Sequence, residues 1–247
     1  MNASVWVSMV ASGALVACAN AGPAGGGDNT DAGFIHVTDG PTRHDSPSGG
    51  PDSPTEPDAP RVDSPSTPMN VTMQETNDDN VTALASIACS NMDDGSTTDN
   101  VWYRAFQLSD FGISTGVNIT AVHFGVEVST GVTVEVDIGT FTGAVGGETL
   151  DLSTYHSLAT VNQTVNSTNE QSVPVNVTIP AGGKFVVEVA APDESGVGQF
   201  YLGCTTGAEQ DPGYLTTNSC PGATTPTDVI ELGGGGGPIL YVTGTTL

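Results

Sequence analysis

The chain has 247 residues, of which 28 are acidic and only 4 are Lys or Arg, a formal net charge of −24 at pH 7. This balance excludes a nucleic-acid-binding protein, because phosphate contacts need clustered basic side chains. It also argues against docking on an anionic membrane through a basic patch. Periodic runs of Glu, Lys, Leu and Ala, which helical bundles and coiled coils need, do not occur.

The N-terminal segment is a short apolar run. Residues 1–17 contain no acidic residue, no Lys and no Arg. About 15 apolar residues are too few to cross a bilayer, for which about 20 are needed. We therefore interpret residues 1–17 as a signal peptide.

The apolar run ends in Leu15-Val16-Ala17-Cys18, which resembles the lipobox of bacterial lipoproteins. The resemblance implies that Cys18 carries a diacylglyceryl thioether, that cleavage precedes it and that its new amine is acylated. Ala19 in the next position is similar to outer-membrane lipoproteins, so we expect anchoring in the outer membrane or at the cell surface. The sequence departs from the family pattern in having no basic residue before the apolar core. The small residues 19–21 also suit ordinary signal peptidase, and this alternative would give a secreted protein.

Residues 18–68 have the composition of a disordered tether. Nine of the 16 prolines and eight acidic residues lie there, with Arg43 and Arg61 as the only basic residues. Such a segment buries too little apolar surface to offset the entropy of ordering. Frequent Pro favours polyproline II, which at about 3.1 Å per residue reaches roughly 150 Å over this length. We expect the segment to act as a spacer.

From residue 69 onward the sequence predicts an all-β domain. Short segments of alternating apolar and polar residues are separated by Gly, Asn, Asp and Pro clusters, as in sandwiches and barrels. The clearest example has Val134, Val136 and Ile138 alternating with polar residues. Nine strands are predicted, at 81–89, 101–108, 122–128, 133–141, 156–165, 171–179, 184–191, 198–204 and 239–243. An antiparallel two-sheet β-sandwich of jelly-roll type over 69–247 fits this pattern best.

A second resemblance covers roughly residues 82–244. The segments Val-Trp-Tyr-Arg-Ala-Phe-Gln-Leu (101–108), Phe-Gly-Ile (111–113) and Val-His-Phe-Gly-Val (122–126) look like a bacterial β-sandwich module. Such modules are accessory domains of secreted and lipid-anchored proteins, including some extracellular peptidases. The resemblance implies a surface module, and it brings no catalytic residues to this chain.

Three cysteines remain if Cys18 carries lipid. Cys89, Cys204 and Cys220 allow three pairings, and the residues alone do not choose among them. The resemblance to the accessory module implies the pairing Cys89–Cys220, which leaves Cys204 free and buried.

One loop is a candidate calcium site. Residues 91–100 are rich in oxygen ligands, which Ca²⁺ prefers, with Asp93, Asp94 and Asp99 as the candidate ligands. The loop lacks the alternating acids and final Glu of an EF-hand, and a solvated loop is the alternative interpretation. We expect no cofactor apart from this structural calcium.

Other residues could bear chemistry. Arg104, the only Arg after the tether, falls on the apolar face of its predicted strand, so it must form an ion pair or bind an anionic ligand. His123 and His156 could serve a hydrolase, but no Gly-x-Ser-x-Gly motif accompanies them.

These features favour a lipid-anchored surface β-sandwich with a non-enzymatic structural, adhesive or protein-interaction role toward envelope partners. Carbohydrate binding is the alternative hypothesis, and an extracellular hydrolase is the third. Carbohydrate binding would use exposed aromatic rings, for which the candidates are Trp102, Tyr103, Tyr155, Tyr201 and Tyr214.

Overall fold

The computed structural model describes residues 4–8, 67–166 and 170–247, and of residues 4–8 it describes only the backbone. Cys18 and nearly all of the predicted tether lie outside the described residues. So does the predicted signal peptide, apart from residues 4–8. The lipobox and tether hypotheses therefore stay predictions.

The described residues form an all-β fold without an α-helix, which confirms the predicted fold class. The strands are β1 (Ser4–Ser8), β2 (Asn70–Gln74), β3 (Ile87–Asn91), β4 (Asn100–Gln107), β5 (Val117–Phe124), β6 (Val126–Ser129), β7 (Val132–Thr140), β8 (His156–Val165), β9 (Gln171–Ile179), β10 (Lys184–Ala191), β11 (Phe200–Leu202), β12 (Cys204–Thr205), β13 (Gly213–Thr216), β14 (Thr227–Asp228), β15 (Gly237–Pro238) and β16 (Leu240–Thr246). A single 3₁₀ turn, Leu108–Phe111, follows β4.

Two antiparallel sheets make up the sandwich. The larger has the order β14-β13-β4-β10-β7-β8 and the smaller the order β2-β16-β5-β9. Three two-stranded ribbons, β1-β3, β6-β11 and β12-β15, accompany them. The two-sheet antiparallel architecture is as predicted, while the jelly-roll subtype stays a prediction.

The core lies between the two sheets because alternate residues of each strand are apolar. Val134, Val136 and Ile138 on β7 are buried, whereas Thr133 and Glu135 are exposed, as the alternation predicts. Aromatic pairs within the larger sheet and between β4 and β11 add to this core. Phe106 and Phe185 stack with their centroids 4.9 Å apart, and Trp102 meets Phe200 edge-on at 5.7 Å.

One predicted strand, 122–128, is divided in the structure. Gly125 ends β5 and lets the chain pass to β6, which belongs to a different sheet. A Cβ at this position would lie 3.1 Å from side-chain atoms of Val81 and Ile239, a tighter contact than usual, so the close approach favours glycine. Unbroken apolar alternation therefore does not reveal the change of sheet.

The predicted strand 81–89 is largely wrong. Residues 81–86 do not form a strand and contain a turn at residues 83–84, and the strand is Ile87–Asn91. The carboxylate of Glu127 accepts hydrogen bonds from the backbone N–H groups of Leu84 and Ser86, so a side chain replaces a neighbouring strand here. The predictions also missed β2 and β13, which are short and belong to the small and the large sheet respectively.

Candidate functional site

The disulfide bond joins Cys89 on β3 to Cys220, which confirms the pairing that the resemblance implies. The sulfur of Cys204 is free and buried, also as expected. Burial raises the pKa of the Cys204 thiol to about 12, although Ser86 and Arg104 oppose the shift. At this pKa the thiol stays protonated at neutral pH and is a poor nucleophile.

The candidate calcium ligands have protein partners. Asp94 accepts hydrogen bonds from the hydroxyl and the backbone N–H of Ser96, which lower its pKa. Burial alone would raise the pKa of Asp99, but donors from residues 217–219 lower it below its ordinary value. Among these donors are the Ser219 hydroxyl at 2.5 Å and the Asn218 N–H at 2.9 Å.

The two carboxylates thus hold different segments. Asp94 orders its own loop, whereas Asp99 holds the loop that leads into Cys220. Asp93 belongs to the same turn, where its backbone N–H donates to the side chain of Asn91. Within the described ranges there is no group of three His, Cys, Asp or Glu side chains that could hold a metal ion. Calcium binding at Asp93, Asp94 and Asp99 stays a prediction.

Arg104 is fully buried and forms the expected structural ion pair. Its Nη2 lies 3.0 Å from Glu209 Oε2 and donates to the carbonyl oxygen of Pro238 at 2.6 Å. Its Nη1 donates to the carbonyl oxygen of Asp211 at 2.6 Å. The guanidinium therefore ties β4 to the segments 209–211 and 237–238. These partners engage both terminal nitrogens of the buried guanidinium, which favours the structural ion pair over anion recognition.

Glu75, which sequence reasoning did not single out, lies near this arginine. The residue is only 3% exposed, and neither carboxylate oxygen has a hydrogen bond of normal geometry, although the nearby backbone of Asp211 favours the charged form. Burial and the Asp211 carboxylate raise the pKa of Glu75 to about 7, and Arg104 partly opposes the shift. The alternation along β2 could have predicted the burial of Glu75. Val71 and Met73 face the core, and Glu75, two residues further on, falls on the same inward face.

His123 lies in a cross-strand network on the outer face of the smaller sheet. Its Nε2 is 3.0 Å from Thr243 Oγ1, and its Nδ1 is 3.1 Å from Glu170 Oε1. Its ring stacks on Tyr241, whose hydroxyl also donates to Glu170. The hydrolase hypothesis required a histidine in a cleft beside Ser and Asp, but His123 contacts a Thr and a Glu on a sheet face. His156 is exposed at the start of β8.

The aromatic candidates for sugar stacking are covered. Trp102, Tyr103, Tyr201 and Tyr214 are buried, and Tyr155 is half-buried. The exposed large hydrophobic residues of the described ranges are aliphatic or Met: Met69, Leu84, Met92, Leu158, Val197, Ile230 and Leu247. The described part of the chain therefore lacks the exposed aromatic platform that the carbohydrate-binding hypothesis requires.

Three carboxylates share the outer face of the larger sheet. We call this surface the acidic face and define it by Glu135, Asp137 and Glu188 with Tyr155. Glu188 on β10 stands directly opposite Asp137 on β7, and Glu135 belongs to the same face two residues before Asp137. Tyr103 flanks Glu188 on the other side. Burial, Asp137 and Glu135 together raise the pKa of Glu188 to about 7.

Hydroxyl groups hold Asp137 in place. Its carboxylate accepts hydrogen bonds from Tyr155 at 2.7 Å, from Ser157 at 2.8 Å and from Thr160 at 3.1 Å. Tyr155 ends the loop 141–155, whose Phe141 and Leu150 pack on the same side of the sheet. The sequence alternation of β7 predicts Glu135 and Asp137 on a wet face, but the cross-strand position of Glu188 depends on the register.

The described residues contain no helix that is long and apolar enough to cross a membrane.

No protein-family model matches the sequence, and no curated protein matches it. Among solved structures, the chain is similar to the cysteine protease and lectin-like domains of Cwp84, a surface-layer-associated protein of Clostridium difficile. The identity is 16%, the match covers 61% of this chain and 33% of that one, and the TM-score is 0.45. A variant of the clostridial cysteine protease Cwp84 after propeptide cleavage matches at 15% identity, 61% and 37% coverage and a TM-score of 0.44.

A third solved structure, that of infectious bursal disease virus Gx strain, matches at 12% identity and a TM-score of 0.28, covering 73% of this chain and 36% of that one. The chain thus spans about a third of the length of the solved chains that it matches. At these scores the likenesses identify neither a ligand nor an activity for this chain.

Proposed function

We propose that the chain is a lipid-anchored surface module with a non-enzymatic binding role, and that its acidic face binds cationic groups of an envelope partner. The lipobox resemblance and the composition of residues 18–68 support the anchoring and the spacing. The acidic face supports the binding role.

The observation that carries the proposal is the direct opposition of Glu188 and Asp137. Like charges in directly opposite cross-strand positions destabilise a sheet. Here a third carboxylate, Glu135, adds to the repulsion. The hydroxyl donors to Asp137 offset part of this repulsion, and protonation of Glu188 relieves it below about pH 7. Above that pH a bound cation would relieve it.

The charge of the whole domain favours the same class of partner. Eight of the 28 acidic residues and two of the four basic ones lie before residue 69, which leaves 20 acidic and two basic residues in the domain. Both basic residues are engaged, Arg104 with Glu209 and Lys184 with the carbonyl oxygen of Gly143. The resulting field attracts cationic partners and repels anionic ones.

The test compares two variants of equal net charge. At pH 8.5, where Glu188 with its pKa of about 7 is ionised, E135Q/E188Q removes two charges from the acidic face. It keeps Asp137, because this carboxylate accepts hydrogen bonds from three hydroxyl groups. E148Q/E231Q removes two exposed charges elsewhere. The probe is a ten-residue lysine peptide, titrated at low salt by calorimetry.

We expect E135Q/E188Q to weaken binding at least about fivefold, since each ion pair contributes up to about 1 kcal/mol. We expect E148Q/E231Q to change binding by less than about twofold. Equal weakening in both variants would show that only net charge attracts the peptide, and the proposal would be abandoned.

A further inference from the structure

Strand β3 is held by protein hydrogen bonds along one edge. Cys89 donates its N–H to Asn100 Oδ1 at 2.7 Å and accepts from Thr98 N–H at 3.0 Å. Asn91 donates to the Ser96 carbonyl and accepts from Gly95 N–H, each at 2.8 Å. The N–H and C=O groups of Cys89 and Asn91 thus point toward residues 95–100.

The intervening residues point the other way. Successive residues of a strand direct their backbone groups to opposite edges, so Ala88 and Ser90 present two N–H and two C=O groups at the second edge of β3. Strand β1 occupies this edge in antiparallel register, with Val5 opposite Ser90 and Val7 opposite Ala88. In the described part of the chain, β3 has no other strand partner.

This second edge lacks the features that protect free sheet edges. Natural edge strands carry charged residues, Pro or bulges that prevent pairing with another chain. The sequence of β3 is Ile-Ala-Cys-Ser-Asn, and its first four residues are fully buried. The disulfide of Cys89 also fixes the strand to the loop at residue 220. Without a covering strand, the two N–H and two C=O groups of Ala88 and Ser90 would lose their protein partners and form an unpaired sheet edge open to another strand.

Strand β1, which occupies this edge, belongs to residues 1–17, the segment that is cleaved off if the lipobox resemblance holds. Cleavage before Cys18 would take β1 away and leave a preformed, rigid edge. The seated segment, Ser-Val-Trp-Val-Ser, has no charged residue and three residues with high strand propensity. Its composition indicates that the edge pairs with an extended, uncharged segment.

We propose that the outer edge of β3 is a strand-acceptor site, which binds an uncharged, extended segment of a partner protein antiparallel to β3 once residues 1–17 are removed. The partner segment adds a strand through main-chain hydrogen bonds to Ala88 and Ser90. The proposal goes beyond the binding role of the acidic face, because it concerns a different surface and a different chemistry.

The test uses the full chain and displaces β1 by substitution. V5P/V7P removes the two N–H groups that face Ser90 and Ala88, whereas W6P, the control, removes one that faces away. The readout is amide hydrogen exchange at Ala88 and Ser90. The Cys89 amide, which bonds to Asn100, reports that the domain stays folded.

We expect exchange at Ala88 and Ser90 to accelerate at least about tenfold in V5P/V7P and much less in W6P, with Cys89 unchanged in both. A synthetic peptide of residues 2–10, added to V5P/V7P, should restore the protection. N-methylation of the peptide at Val5 and Val7 should abolish this effect, and N-methylation at Trp6 should preserve it.

Two results would overturn the proposal. One is protection by the peptide that does not depend on which amide is methylated, because strand pairing requires specific N–H groups. The other is unchanged exchange at Ala88 and Ser90 in V5P/V7P, which would show that their amides do not depend on a covering strand. Neither result bears on the lysine-peptide test, since the acidic face lies on the larger sheet.

Discussion

Cys89 and Cys220 are 131 residues apart in sequence, and their disulfide bond joins strand β3 to the loop that follows β13. The bond therefore closes a loop that contains most of the domain. In the chain-entropy account, a covalent link stabilises by restricting the unfolded chain, and the effect grows with loop length.

The first prediction concerns this bond. The C89S/C220S variant should lose about 4–5 kcal/mol of unfolding free energy, because the closed loop exceeds 100 residues. Urea unfolding followed by tryptophan fluorescence measures the change, and reductant should reproduce it in the wild type. Cys204→Ala is the matched control, since it removes a buried cysteine without opening the loop. A double variant that unfolds at the wild-type urea concentration would contradict the loop-closure account.

The second prediction concerns Arg104. Replacing it with Met should cost about 3–5 kcal/mol of unfolding free energy, because Glu209 and two carbonyl groups then lose their buried partner. Arg104→Lys should recover only part of this, since an ammonium group lacks the planar fork that reaches both carbonyls. The measurement is again urea unfolding. If Arg104→Met/Glu209→Met proves as unstable as Arg104→Met alone, the ion pair is not the source of the loss.

The third prediction concerns pH. In the folded protein the pKa of Glu75 and that of Glu188 are each raised to about 7, above the ordinary value of 4.5. The folded state then binds more protons than the unfolded state between about pH 4.5 and 7, so stability falls as pH rises through this window. We expect the wild type to lose roughly 1–3 kcal/mol between pH 5 and pH 8 through Glu75.

Glu75→Gln separates this effect from the rest of the titration. Gln has nearly the same shape and stays neutral, so the stability of the variant should depend less on pH across the same window. Unfolding curves at pH 5, 6, 7 and 8 for both proteins give the comparison. Parallel pH profiles for the variant and the wild type would refute the assignment to Glu75.

The fourth prediction concerns the anchor. Cys18→Ser should move the protein from the membrane fraction to the medium, because a triacylated chain stays bound whereas an unacylated one has no anchor. Cell fractionation with immunoblotting measures the distribution. Cys204→Ser serves as the control and should stay with the membrane. Retention of Cys18→Ser in the membrane fraction would refute lipid anchoring.

Local patterns sufficed for much of the fold. The predicted boundaries of 156–165, 171–179 and 184–191 coincide with β8, β9 and β10. In each of these strands, apolar residues alternate or run together between clear turn residues, and that pattern is local. Prediction did less well where a side chain replaced a strand partner, as Glu127 does at residues 84–86, and where a glycine carried the chain between sheets.

The candidate functional residues show the same difference between local patterns, which the sequence reveals, and long-range contacts, which it does not. Arg104 was expected to pair because a guanidinium on an apolar face must find a carboxylate, yet sequence alone could not single out Glu209 among 20 acidic residues. Glu75 escaped notice because the short strand before it, β2, was not predicted. Its burial follows from the position of β2 beside β16, which is a long-range contact.

By itself, the sequence determined that the domain is acidic and all-β, because these properties depend on composition and on neighbouring residues. The leader and the spacer that it also predicts stay predictions. Only the tertiary structure decided which distant groups meet, such as Glu188 with Asp137, Arg104 with Glu209, and β3 with β1. The physical reason is strand register. It is set by the combined packing of both sheets, and no short stretch of the chain contains that information.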